Sequence, residues 1–145
     1  MDIHSVMTAD PSGKELIELA QQVASNLRSL TKNQIRNVFT ETRQIEAMWG
    51  KSQEKAQEKA QEKAQEKAMR RLMMLKPKLL YQTARDQNMK PLSDILSKAI
   101  DEVVQAEGDL RTERFERFMD LFEAILAYHK AAEITSSTGG NYGRR

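Results

Sequence analysis

The sequence predicts an all-α fold, a compact bundle of five to six helices with an extended solvated helix and a disordered C-terminal tail. Three observations carry this. Apolar residues recur at helical spacing in four separate segments, helix-start signals precede two of them, and nowhere do apolar and polar residues alternate between turns as a strand requires. At 145 residues the chain is long enough for one core and short for two, so residues 1–134 are read as a single domain and 135–145 as a flexible tail.

Residues 1–11 show no periodicity and end in Pro11, which reads as a loose arm. Ser12-Gly13-Lys14-Glu15 has capping-box spacing, and Leu16, Leu19, Ala20, Val23 and Leu27 then make one face of a first long helix. Thr31-Lys32-Asn33-Gln34 repeats that start signal. Ile35, Val38, Phe39, Thr42 and Ile45 follow on one face, with Lys32, Arg36 and Arg43 close together on another.

Residues 53–68 are a fourfold repeat of Gln-Glu-Lys-Ala, all helix-favouring types with no Gly or Pro. A period of four drifts about 40° per repeat, so the Ala row never becomes a straight apolar stripe. The repeat is therefore read as a solvated helical extension within the domain, and not as a coiled coil.

Beyond it, Lys76 precedes Pro77 and is pushed from helical angles, while Pro77 suits a first turn, so the chain is expected to turn or kink there and start a new helix. In that helix Leu79, Leu80, Thr83 and Ala84 are expected to face the core, with Lys78, Gln82 and Arg85 on the other side. Pro91 opens the next helix, whose apolar face runs from Leu92 through Ile95, Leu96, Ala99, Ile100 and Val103 to Val104. Gly108 is placed to end it and Asp109 to cap its successor, in which Phe115, Phe118, Met119, Phe122, Ile125 and Leu126 line one face. Leu121, Ala124 and Tyr128 widen that face enough for two neighbours. From Thr135 the Ser- and Gly-rich sequence carries no apolar pattern, hence the tail.

Composition excludes several function classes. Without cysteine there is no disulfide, thiolate metal site or cysteine nucleophile. Only His4 and His129 offer imidazole, and the residue three before His129 is Leu126, so the Glu-x-x-His pattern of di-metal bundles is absent. No Gly-rich phosphate loop precedes a helix, and no nucleophile stands in a recognisable set with a base. Catalytic, metal and cofactor-binding residues are accordingly expected to be none, and no small-molecule substrate is expected. No apolar run approaches the roughly 20 residues that span a bilayer, and the N-terminal residues carry no secretion signal, so no membrane partner and a cytoplasmic location are expected.

Charge is where the sequence becomes informative. The formal net charge is only +2, yet residues 1–27 carry one Lys against four acids, residues 28–52 with 69–90 carry eleven basic residues against three acids, and residues 91–134 carry five against ten. A basic middle between acidic flanks suits a phosphate backbone on one surface and protein on another. Lys32, Arg36, Arg43, Lys76, Lys78 and Arg85 are the candidate residues for contact with a nucleic-acid backbone, and they form one patch only if the second helix lies beside the segment after Pro77. Few aromatics accompany them, which favours backbone contact over base recognition. Tyr81 and Tyr128 lie on or beside apolar stripes, so both are expected to pack in the core. A purely protein-binding helical adaptor, its basic patch docked on an acidic partner, is the alternative.

Leu30-Thr31-Lys32-Asn33-Gln34-Ile35-Arg36, then Leu75-Lys76-Pro77-Lys78-Leu79-Leu80-Tyr81 with Arg85, then Phe118 to Lys130 (FMDLFEAILAYHK) together resemble the small subunit of type III-A CRISPR–Cas effector complexes, the Csm complexes. The resemblance covers about residues 14–134. It implies an all-helical, non-catalytic subunit of antiviral defence, present in more than one copy and stacked beside guide RNA and target RNA among the other Csm-complex subunits. It places the basic surface on Lys32, Arg36, Lys76, Lys78 and Arg85, with Arg43 added by the helix-face argument. The Gln-Glu-Lys-Ala repeats have no counterpart in the family's pattern.

Overall fold

The computed structural model describes residues 2–54 and 56–142, with side chains to residue 135. Among these, six helices run in order: α1 (Ile3–Thr8), α2 (Lys14–Ser25), α3 (Lys32–Gln53), α4 (Glu58–Arg85), α5 (Lys90–Gln105) and α6 (Asp109–Tyr142), with a 3₁₀ turn (Gln87–Met89) between α4 and α5. The predicted all-helical bundle is the observed fold.

The widest apolar face lies on α6, and this helix is the hub. It packs against α1, α2, α3 and α5, four neighbours where its breadth suggested two. Phe115, Phe118, Leu121, Phe122 and Ile125 are buried along it. Phe39 of α3 meets Phe122 edge-on at 5.1 Å, and Trp49 meets Phe115 at 5.7 Å, so the aromatic block sets how α3 lies on the hub. His129 is buried, with Nε2 2.9 Å from the Leu30 carbonyl oxygen, a structural tie between α6 and the start of α3. α4 forms an outer layer, packed on α3 along one flank and on α5 along the other.

The N-terminal segment corrects the sequence reading. Residues 3–8 are helical, because Asp2 accepts from the His4 N–H as N-cap and Val6 and Met7 are buried in the common core. Arg117 of α6 donates to the carbonyl oxygens of Val6 (3.3 Å) and Asp10 (2.7 Å), which fastens the segment down. The start of α2 is also capped differently. Gly13, with φ of 78°, is the N-cap residue, and the buried Asp10 carboxylate accepts from the N–H groups of Glu15 (3.2 Å) and Leu16 (2.8 Å) where a Ser12–Glu15 box was expected. The Thr31–Gln34 capping box of α3 is present in full.

Two further expectations fail in α4. This helix continues through Pro77 without a new start there. Leu72, Leu75 and Leu79 are buried on one face across the proline, so tertiary packing overrides the local preference to break. Leu80 and Ala84, expected in the core, are exposed, because the buried stripe of a continuous helix passes through Leu75 and Leu79 instead. Tyr81 is 62% exposed and does not pack in the core, whereas Tyr128 does pack against it.

The described side chains of the Gln-Glu-Lys-Ala stretch are exposed or half-buried as far as Lys67, as expected, but Ala68 is buried in the core and the stretch is not one uninterrupted helix. α3 ends at Gln53 and α4 begins at Glu58, so the reversal between them lies within the repeat. The tail expected over 135–145 falls on the last part of α6, whose backbone is helical to Tyr142. Residues 143–145, like the side chains beyond 135, lie outside the described residues.

Candidate nucleic-acid interface

The seam between α3 and α4 is antiparallel and is fixed by polar contacts at two levels. Lys78 donates to Glu41, and Gln34 Nε2 donates to Asp86 Oδ2 at 2.7 Å. Gln34 also accepts from the Thr31 N–H at 2.9 Å, so one side chain closes the N-cap of α3 and holds the C-cap residue of α4. The hydrogen bond from Gln34 Nε2 to Asp86, with one from the Asn88 N–H, holds the Asp86 carboxyl below the ordinary carboxylate value. The second helix therefore does lie beside the segment after Pro77.

The six candidate cations separate into three groups. At about 100° per residue, Lys32, Arg36 and Arg43 share one outer flank of α3. Lys32 and Arg36 are exposed and have no acidic partner among the described residues, while Arg43 pairs with Glu46 at 3.0 Å and lies 5.7 Å from the Phe39 ring centroid. Lys78 and Arg85 stand on the α3 side of α4. Lys76 turns to the opposite flank, where its Nζ pairs with Asp101 of α5 at 2.6 Å. A single patch containing all six is not formed, because residues two apart on a continuous helix point to opposite sides.

A further member, Arg71, was missed by the sequence reading. Arg71, Lys78 and Arg85 are seven residues apart and make an exposed row along one edge of α4, about 10.5 Å between neighbours. Met74 and Tyr81, both exposed, fall between them at the i+3 and i+10 positions. The seven-residue spacing was visible in the sequence, but only a helix unbroken at Pro77 makes it a row. From this row the surface passes over the α3 residues Asn37, Asn33, Thr40 and Gln44, all exposed and uncharged, to Arg36 and Lys32. Among the described residues Lys78 is the one member of the row with an acidic partner, and Arg85 lies 5.7 Å from the Tyr81 ring centroid.

At the lower end of the seam is a hollow of about 360 Å³, lined by Gln34, Asn37, Tyr81, Arg85 and Asp86. On the other side of the molecule, a groove of about 720 Å³ between α2 and α6 is lined by Glu113, Glu116, Asp120 and Glu123 beside the exposed Ile17. Burial and the neighbouring Glu123 push the Asp120 carboxyl up, against the opposing pull of Arg117. Basic and acidic surfaces thus occupy different helices, as the charge pattern foretold. Among the described residues no three His, Asp or Glu side chains stand close enough to hold a metal ion, and no helix is long and apolar enough to cross a membrane.

Fold and surface define an all-helical bundle with a basic outer seam and an acidic groove. The model of the family Csm2 Type III-A matches residues 10–134. The chain belongs to that family, the small subunits of type III-A Csm complexes. No curated protein and no solved structure matches the chain.

Proposed function

We propose that this subunit is a non-catalytic RNA-binding element of its Csm complex, holding guide RNA and target RNA by their phosphates along the α3–α4 seam. The observation that carries the reading is the exposed row Arg71, Lys78 and Arg85, continued onto α3 by Arg36 and Lys32. Each cation can displace one counterion from a phosphate chain, which gives affinity without sequence reading. Lys76, tied to Asp101 on the other flank, contributes little to this surface. Neighbouring subunits, further copies of the chain among them, meet the acidic groove between α2 and α6. The subunit works in this way in cytoplasmic antiviral defence and needs no cofactor.

The test is RNA affinity of the full chain as a function of salt. Replacing Arg71 and Arg85 with Ala lowers the slope of log K against log salt by about 0.7 for each lost contact on a single strand. Lys78→Ala lowers the slope less, because Lys78 is already paired with Glu41 and neutralises a phosphate only in part, and Lys76→Ala leaves the slope unchanged. Unaltered affinity in a folded Arg71, Arg85 double variant removes the seam from the RNA site. Absence of RNA binding at low salt, with retained binding to an acidic protein partner, makes the chain a protein adaptor.

A further inference from the structure

Phosphate contact leaves one part of the seam unexplained. Tyr81 offers a largely exposed ring beside the Arg85 guanidinium, 5.7 Å from its centroid, and both line the hollow together with Gln34, Asn37, Gln82, Asp86 and Met89. A phosphate has no use for an aromatic ring, and the Asp86 carboxylate repels it. This lining suits a flat, uncharged ring system with N–H donors along one edge. The ring stacks on the aromatic or guanidinium plane, and the edge donates to the carboxylate and exchanges hydrogen bonds with the amide of Asn37. The Asp86 oxygens each accept one hydrogen bond already, from Gln34 and from the Asn88 N–H at 3.0 Å, and a carboxylate has lone pairs for more. The volume lies at the small end of the range for ligand hollows, room for one such ring.

We infer that the hollow between α3 and α4 takes a single unpaired nucleobase carrying an exocyclic amino group, stacked at Tyr81 and Arg85 and read by Asp86. The base must be unpaired, because a base inside a duplex presents neither its faces nor its pairing edge. Cytosine, adenine and guanine fit, whereas uracil has no exocyclic amino group and flanks its single N3–H with two carbonyl oxygens that face the carboxylate. This inference rests on the RNA-binding reading and adds a base contact to it. The amino-group preference separates the hollow from the phosphate row, which is indifferent to base identity.

The experiment measures binding of the full chain to short single-stranded oligo-C and oligo-U across a salt series. Wild type is expected to prefer oligo-C on the order of fivefold, the lower end of what one base-edge contact discriminates. Tyr81→Ala, at an exposed position, is expected to weaken binding to both by at least about fivefold. The salt slope stays where it was, since no cation has been removed. Tyr81→Phe keeps the stack and the affinity, and Asp86→Asn, which still caps the turn, abolishes the preference for oligo-C. Affinity unchanged in Tyr81→Ala, while removal of Arg71 and Arg85 still weakens binding, overturns the base site and leaves the phosphate reading standing. If Tyr81→Ala keeps RNA affinity but no longer enters the assembled complex, the ring belongs to a protein neighbour, and the base site is again overturned. A wild-type chain that shows no salt-dependent RNA binding at all removes both readings.

Discussion

Replacing Pro77 with Ala is expected to stabilise the protein, and by an amount that can be worked out. Pro77 lies in the interior of α4, eight residues before its end, where it has no N–H to give the Met73 carbonyl and its ring crowds that carbonyl. The intrinsic difference between Pro and Ala inside a helix is about 3 kcal/mol, an upper limit here. Both Pro77 and Met73 lie on the exposed side of α4, where water satisfies the freed carbonyl and the helix relaxes away from the ring, so roughly 2 kcal/mol is expected. For a chain of this length each kcal/mol moves the midpoint by about 2–4 °C, which gives about 4–8 °C. Thermal unfolding followed by far-ultraviolet circular dichroism reads this directly. Since Lys78 and Arg85 keep their places on an unbroken helix, RNA affinity is expected to stay within a few-fold of wild type. An unchanged or lower midpoint would refute the reasoning, because it would mean that Pro77 sits at a helix start whose geometry Ala cannot supply.

Three other outcomes follow from the same contacts. Asp10→Ala removes both carboxylate bonds at the start of α2 and is expected to cost about 1–2 kcal/mol in urea unfolding, with Asp10→Asn losing less. Phe118→Ala, at a fully buried position on the hub helix, is expected to cost about 3–5 kcal/mol in the same measurement. Asp120 has a folded-state value raised above its ordinary 3.8, so the native state binds the proton more readily than the unfolded one. Its favourable contribution is present in acid and fades as pH rises through the raised value, so Asp120→Asn is expected to stabilise the fold at neutral pH. A stability gain that persists unchanged below 3.8 would contradict this.

The long helices were legible because amphipathic periodicity reports burial directly: α2, α3, α5 and α6 bury the faces that their spacing marked. α1 was not, because Ile3, Val6 and Met7 are too few to establish a period, and the core that buries Val6 and Met7 and the Arg117 that bonds the Val6 carbonyl lie far along the chain. At Pro77 a sound local rule lost to the burial of Leu72, Leu75 and Leu79 around it. That single reversal changed the site. It turned Lys76 away from Lys78, admitted Arg71 to the row and left Tyr81 in solvent. The acidic partners Glu41 and Asp101 were equally hidden, since ion pairs between distant segments need the tertiary arrangement to become visible.

The position of the reversal in the repeat follows from the pairing levels of the seam. Lys78 lies opposite Glu41 and Asp86 opposite Gln34, so paired positions on α3 and α4 add to about 120, and Ser52 falls opposite the buried Ala68. The first turns of α4, residues 58–66, therefore overhang the end of α3, and α5 does not reach them either, because Lys76 pairs with Asp101 four residues before the end of α5. The overhang carries exposed and half-buried side chains only. Deleting two of the four repeats leaves eight residues between Ser52 and Met69, enough for an antiparallel helix connection. Such a variant is expected to keep its stability within about 1 kcal/mol, since a shorter closing loop costs less entropy and no core contact is lost. RNA affinity is expected to be unchanged, because the seam cations lie farther along α4. Deleting all four repeats joins Ser52 to Met69 with no residues to reverse the chain, and α3 can then no longer pack against α4. Chemical unfolding of the two deletions separates the possibilities: a loss of several kcal/mol on removing two repeats would mean that the overhang is packed against the core and is not a solvated spacer.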